Sequence, residues 1–149
     1  MEPLKLIALD GEDMAVLSAH LQDAVVNSAD IRWLPAEKRL VIGLSRFDWE
    51  AVHNGAPEFR RCRSALRFER VLACQCQKCD AVKKSDILNL LAVMFDESDP
   101  PGGVVTLTFS GGAALRLQVE CLEAELADLG PGWAAKSCPA HSVDAPQQG

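Results

Sequence analysis

The chain contains no tyrosine, and phenylalanine and tryptophan supply only five and three of its 149 residues. That scarcity argues against an aromatic-rich platform for single-stranded nucleic acid, and against a carbohydrate site. Long apolar runs are missing too. None approaches the ~20 residues that a membrane helix needs. The opening Met1-Glu2-Pro3-Leu4-Lys5 lacks the basic start and apolar stretch of a secretory signal. The six cysteines are therefore expected as reduced thiols in the cytoplasm rather than as a disulfide framework. Catalytic signatures are absent as well. Gly102-Gly103 and Gly111-Gly112 have no downstream Gly-Lys-Ser/Thr, and there is neither a Gly-x-Ser-x-Gly elbow nor a His-Glu-x-x-His pair. These gaps weigh against a standard enzyme, and no cofactor is expected.

What remains is ordinary for a folded domain: 48% hydrophobic residues, 24% charged and a net charge of −6. The length fits one domain, placed over residues 1–133. Residues 134–149, rich in Ala, Ser, Pro and Gln, are predicted to form a disordered tail. The acidic balance disfavours nucleic acid and anionic membrane as partners.

Leu4–Leu9 reads as a strand. Asp10 is placed to cap a helix over Gly11–Val25, with Met14, Leu17, Leu21 and Ala24 on one face. Asp30–Leu34 and Leu40–Phe47 read as a hairpin around Pro35–Lys38. One alternating strand then carries Leu66, Phe68, Leu72, Cys74 and Cys76 inward, and Arg61, Arg63 and Arg67 outward. Ile87–Phe95 fits either a helix capped by Ser85 or a short, doubly buried strand. The strand is preferred because the turn cluster Asp99-Pro100-Pro101-Gly102-Gly103 follows at once, then a hairpin of Val105–Phe109 and Leu115–Cys121. Leu122, Leu126 and Leu129 are spaced for a final helix ended by Gly130-Pro131. The expected class is α+β: a strongly bent antiparallel sheet or small open barrel, pleckstrin-homology-like in strand order, with an N-terminal and a C-terminal helix.

Charge is unevenly spread. Residues 60–84 hold eight cations and two carboxylates, a local +6, so the rest of the chain carries −12. The arginine fork matches phosphate and carboxylate, which makes Arg61, Arg63 and Arg67 a candidate face for an anionic ligand or a protein partner. The plainer alternative is cross-strand pairing with carboxylates. Asp48, Trp49, Glu50 and His53 form a second candidate, a loop site with acid/base groups. The plainer reading there is a strand end anchored by the tryptophan. Cys62, Cys74, Cys76 and Cys79 form a third, a thiol or zinc site, set against the reading that inward thiols are small apolar side chains.

Three segments together carry a resemblance: Leu4–Asp13 with Leu17–Ala24, Asp30–Pro35 through Arg46–Glu50, and Val105–Gly112 through Glu120–Ala124. They resemble the domain-of-unknown-function family numbered 2948, over most of Leu4–Trp133. The resemblance implies a small bacterial cytosolic domain and brings no catalytic or ligand residues with it. The Cys74–Cys79 cluster and Lys83-Lys84 look like departures from the family's usual pattern. The leading expectation is a non-catalytic binding or protein-interaction module, with homo-oligomerisation left open. The alternatives are a thiol- or zinc-dependent regulator, and an enzyme using Asp48, Glu50 and His53.

Overall fold

A computed structural model describes residues 3–49, 60–78, 85–130 and 133–134. Its frame is a ten-stranded sheet in which the assigned pairings are antiparallel. The strands are β1 (Lys5–Ala8), β2 (Ala24–Leu34), β3 (Arg39–Phe47), β4 (Arg60–Phe68), β5 (Val71–Gln77), β6 (Ile87–Asp99), β7 (Gly102–Phe109), β8 (Ala114–Val119), β9 (Ala124–Asp128) and β10 (Trp133–Ala134). Their spatial order is β1-β9-β4-β3-β2-β6-β7-β8-β5, with β10 paired to the start of β4. The single described α-helix, α1, spans Gly11–His20.

Strand β2 is the corner of the sheet. A register shift between Val26 and Ile31 divides it: Ala24–Asn27 pair with β6, while Ile31–Leu34 pair with β3. The far edge then returns to the first half. The Val71 amide donates to the Lys38 carbonyl, the Glu69 amide to Glu123 and the Glu120 amide to Arg70. The sheet is thus curled around one core, in which Leu40, Ile42, Leu44, Leu66, Phe68, Leu90, Leu107, Leu117 and Leu126 are buried.

Helix α1 is set by its cap. The Asp10 carboxylate accepts the Asp13 amide at 2.8 Å, and the Asp13 carboxylate accepts the Leu9 amide at 3.1 Å. The first bond is an N-cap bond, and the second ties the helix start one residue further back, to the amide that precedes the cap. Met14, Leu17 and Leu21 seal the core, and the Val93 amide donates to Ser18 Oγ where β6 runs past β2. The helix stops five residues short of the expected Val25. Asp23 turns left-handed at φ 61°, and Val25-Val26, stiff at χ1, join the strand instead.

Two further expectations are corrected. The C-terminal helix expected from Leu122, Leu126 and Leu129 is strand β9, and Leu129 is exposed. A four-residue step fits both periods; buried Leu122, Ala124, Leu126 and Asp128 share one parity, and period two wins because this segment fills the slot between β1 and β4. The single strand expected through Arg61–Gln77 is two strands in different halves of the sheet, broken at Glu69-Arg70, where Arg70 adopts φ 57°. A register shift between Val71 and Ala73 then buries Val71 and exposes Leu72, the reverse of the expected order.

Candidate functional site: two unlike outer faces

The outward positions of β2, β3, β4, β9 and β1 hold the expected arginines, and they are paired. Arg63 Nη2 meets Asp30 Oδ2 at 3.1 Å, passing over Gly43, where an added Cβ would lie 3.0 Å from that nitrogen. Arg67 lies 3.3 Å from Glu125 across the β4–β9 ladder and 3.1 Å from Glu69, which also receives Arg39. Lys5 reaches Glu125 from β1. Arg61 shares the outward parity but is only 3% exposed. Its guanidinium lies 5.9 Å from the centre of the Phe47 ring and donates to the Ser45 carbonyl at 3.3 Å. The cationic stretch of the sequence is therefore distributed in space among carboxylates of other strands.

Toward one end of the curled sheet the inward positions change from apolar to polar. Arg46, Cys62, Ser64 and Asp128 continue the parity of Leu44, Leu66 and Leu126. The Arg46 fork meets Asp128 at 2.9 Å through both Nε and Nη2, with side chains 3% and 2% exposed. Ser64 Oγ donates to the same carboxylate at 2.7 Å, as does the Leu4 amide at 2.8 Å. Burial alone would push the Asp128 carboxyl up; Arg46, Leu4 and Ser64 outweigh it and hold the pKa below the usual carboxylate value. Burial likewise opposes the charge on Arg46, and Asp128 more than offsets it, so that pKa is raised. This hub joins β1, β3, β4 and β9, and every Asp128 oxygen is occupied by the fold.

Beside it, Asp48 is buried and its amide donates to the Arg60 carbonyl at 2.8 Å. Trp49 packs edge-on against Phe47, centroids 4.7 Å apart, and its Nε1 donates to the Gln22 carbonyl at 3.1 Å. Tryptophan thus pins the strand end, as in the plainer reading. Glu50 and His53 lie outside the described residues.

Cys62 and Cys74 are free and sit in different halves of the sheet. Burial pushes both thiols up, with Arg46 partly opposing this at Cys62. Cys74 packs against the core as expected. Cys76, expected inward and reduced, is exposed and disulfide-bonded, which corrects the expectation of six reduced thiols; Cys79 lies outside the described residues. No group of three or more His, Cys, Asp or Glu suited to a metal occurs among the described residues.

The outer face of the other half, β6-β7-β8-β5, has a different chemistry. Three rows cross it in register: Asp96, Val104, Gln118 and Ala73; Met94, Thr106, Arg116 and Gln75; Ala92, Thr108, Ala114 and Gln77. Asp96 and Arg116 are the only charged side chains in these rows, and neither has an ion-pair or hydrogen-bond partner among the described residues. Met94 is 68% exposed, and Leu72, Leu91 and Ile87 on β5 and β6 are exposed as well. Ala73, Gln75, Val104, Arg116 and Gln118 line a dimple of about 150 Å³.

The family described as a protein of unknown function, DUF2948, matches residues 4–141. The chain belongs to that family. No curated protein and no protein of solved structure matches it. Within this DUF2948 chain, no described helix is long and apolar enough to cross a membrane.

Asp128 and Arg116 both escaped the reading of the DUF2948 sequence. Asp128 was masked by the helical spacing of its neighbours. It would have been found by noting that Leu122, Ala124, Leu126 and Asp128 alternate. Arg116 sits in a regular strand and is singled out only by what fails to surround it, which no local pattern reveals.

Proposed function

We propose that this DUF2948 chain is a non-catalytic protein-interaction module that engages its partner through the outer face of β6-β7-β8-β5. The observation that carries the reading is the outward row Met94–Thr106–Arg116–Gln75, exposed except at half-buried Thr106. Interface cores are depleted in charge and enriched in Met and Arg relative to ordinary surface, and the low charge of these rows together with Met94 and Arg116 supports the reading. An antiparallel sheet can simply be solvated on its outer side, normally with charged and paired residues. The β2-β3-β4-β9-β1 half is largely of that kind: Lys5, Arg63 and Arg67 have carboxylates, while Arg32 on β2 is exposed without a partner among the described residues. The Asp128 carboxylate, the best-defined polar group inside, is fully used by Arg46, Ser64 and Leu4, which suits a structural role.

The likeness to pleckstrin-homology-like barrels rests on strand order alone and licenses no lipid function. An anionic ligand on Arg61, Arg63 and Arg67 would have to displace Asp30, Glu69 or Glu125, so those residues rank behind Arg116 as an anion contact.

The test is photo-crosslinking in the native cell, with a benzophenone side chain at Thr106 and, as control, at Val41 on the other outer face. A discrete adduct from Thr106 and none from Val41, mapped to one peptide by mass spectrometry, is the expected result. Equal adducts from both positions, or none from either, would refute the face.

A further inference from the structure

We infer that the partner on this face is a second copy of the same chain, held face to face about a two-fold axis over β7, with Arg116 of each copy on Asp96 of the other. The inference rests on the interaction reading above and identifies the occupant.

In the three rows that cross the face, one cation and one carboxylate lack a partner among the described residues and are set diagonally across β7, Arg116 on β8 and Asp96 on β6; Asp99 lies farther out, at the β6–β7 turn. An unrelated partner would have to supply both opposite charges at that spacing. A second copy does so automatically, because an isologous contact places residue i on j and j on i. The axis that exchanges the two positions passes between Val104 and Thr106, whose modest side chains allow the sheets to close. The surface relief also fits. Arg116, Gln75 and Gln118 rim a dimple of about 150 Å³ with Ala73 and Val104. Its volume suits the short carboxylate of Asp96, and the two amides can donate to the oxygen that the guanidinium leaves open. Met94, exposed and uncharged, is buried by the same approach.

Strand spacing and rise make the patch roughly 20 Å by 20 Å. That is a small interface, so the dimer is weak and concentration-dependent. Like charge elsewhere on an acidic chain sets its salt response: association strengthens as screening reduces net repulsion, until the Arg116–Asp96 contacts are screened in turn.

Sedimentation velocity on the full chain from about 1 μM to 1 mM, a span that brackets weak interfaces, tests this. The wild type is expected to dimerise. Arg116→Asp and Asp96→Arg each place like charges in contact and are expected to weaken association by roughly tenfold or more, while the double reversal restores it. Circular dichroism melts should be unchanged for these exposed sites, which separates lost pairing from lost folding. A wild type that stays monomeric throughout overturns the inference, as do single reversals without effect or a double reversal that fails to rescue. A monomer whose Thr106 crosslinks to another protein overturns the self-pairing and leaves the interaction face standing. A monomer with no crosslink removes both.

Discussion

Asp128 holds Arg46, Ser64 and the backbone of Leu4 at once, in a place where water cannot substitute for any of them. Asp128→Asn keeps the shape and removes the charge, leaving a buried guanidinium unpaired. Breaking a buried pair in this way costs about 3–5 kcal/mol, and urea denaturation should show a loss of that order. Replacing Arg46 and Asp128 together by Met and Leu should cost much less, since no charge is stranded. The same pair predicts an acid response. The Asp128 pKa is held below its unfolded value of about 3.9, so its contribution is complete above that pH and is lost as pH falls through the folded value. Wild-type stability should therefore fall steeply below about pH 4, and this component should be missing from Asp128→Asn. Cys62 answers to the same surroundings: burial pushes its thiol up, so alkylation near neutral pH should be slow in the native protein and rapid after denaturation.

Elements defined by local chemistry were legible in the sequence, and elements defined by their neighbours were not. Asp10 announced the start of α1, and the alternation in Val105–Phe109 and Leu115–Val119 announced two strands. The helix expected over Leu122–Leu129 failed because a spacing of four satisfies both periods, and only the empty slot between β1 and β4 decides for a strand. The continuous strand expected from Arg61 to Gln77 failed because Arg70, a charge on the inward parity, reads locally as one lapse in the alternation, whereas its left-handed backbone sends β5 to the far edge. The cationic cluster was visible, but its neutralisation depends on Asp30, Glu69 and Glu125 arriving from elsewhere. At the β6–β7 turn, Gly102-Gly103 read as a loop signal, whereas the structure gives it a packing reason. A Cβ on Gly103 would overlap the Asp96 carbonyl oxygen, which is backbone and cannot swing aside. Gly103→Ala should destabilise by about 1–3 kcal/mol or more in thermal or urea unfolding. Gly43→Ala should be milder, because its nearest neighbour is the movable end of Arg63.

Taken as a whole, the curled sheet has one outer side on which Arg63 and Arg67 are paired with Asp30, Glu69 and Glu125, and another on which Arg116, Asp96 and Asp99 have no partner among the described residues. The hub at Asp128 and the helix α1 pack elsewhere on the curled sheet and do not cover that second side. Whether this side is covered in the working protein can be read from Met94 itself. Met14 is buried in the core and serves as the internal reference. Dilute peroxide should convert Met94 to its sulfoxide quickly at about 1 μM protein and several-fold more slowly near 1 mM, where weak interfaces fill. Protection that grows with concentration, and disappears in Arg116→Asp, is the predicted result; a Met94 oxidation rate that is the same at every concentration would contradict it.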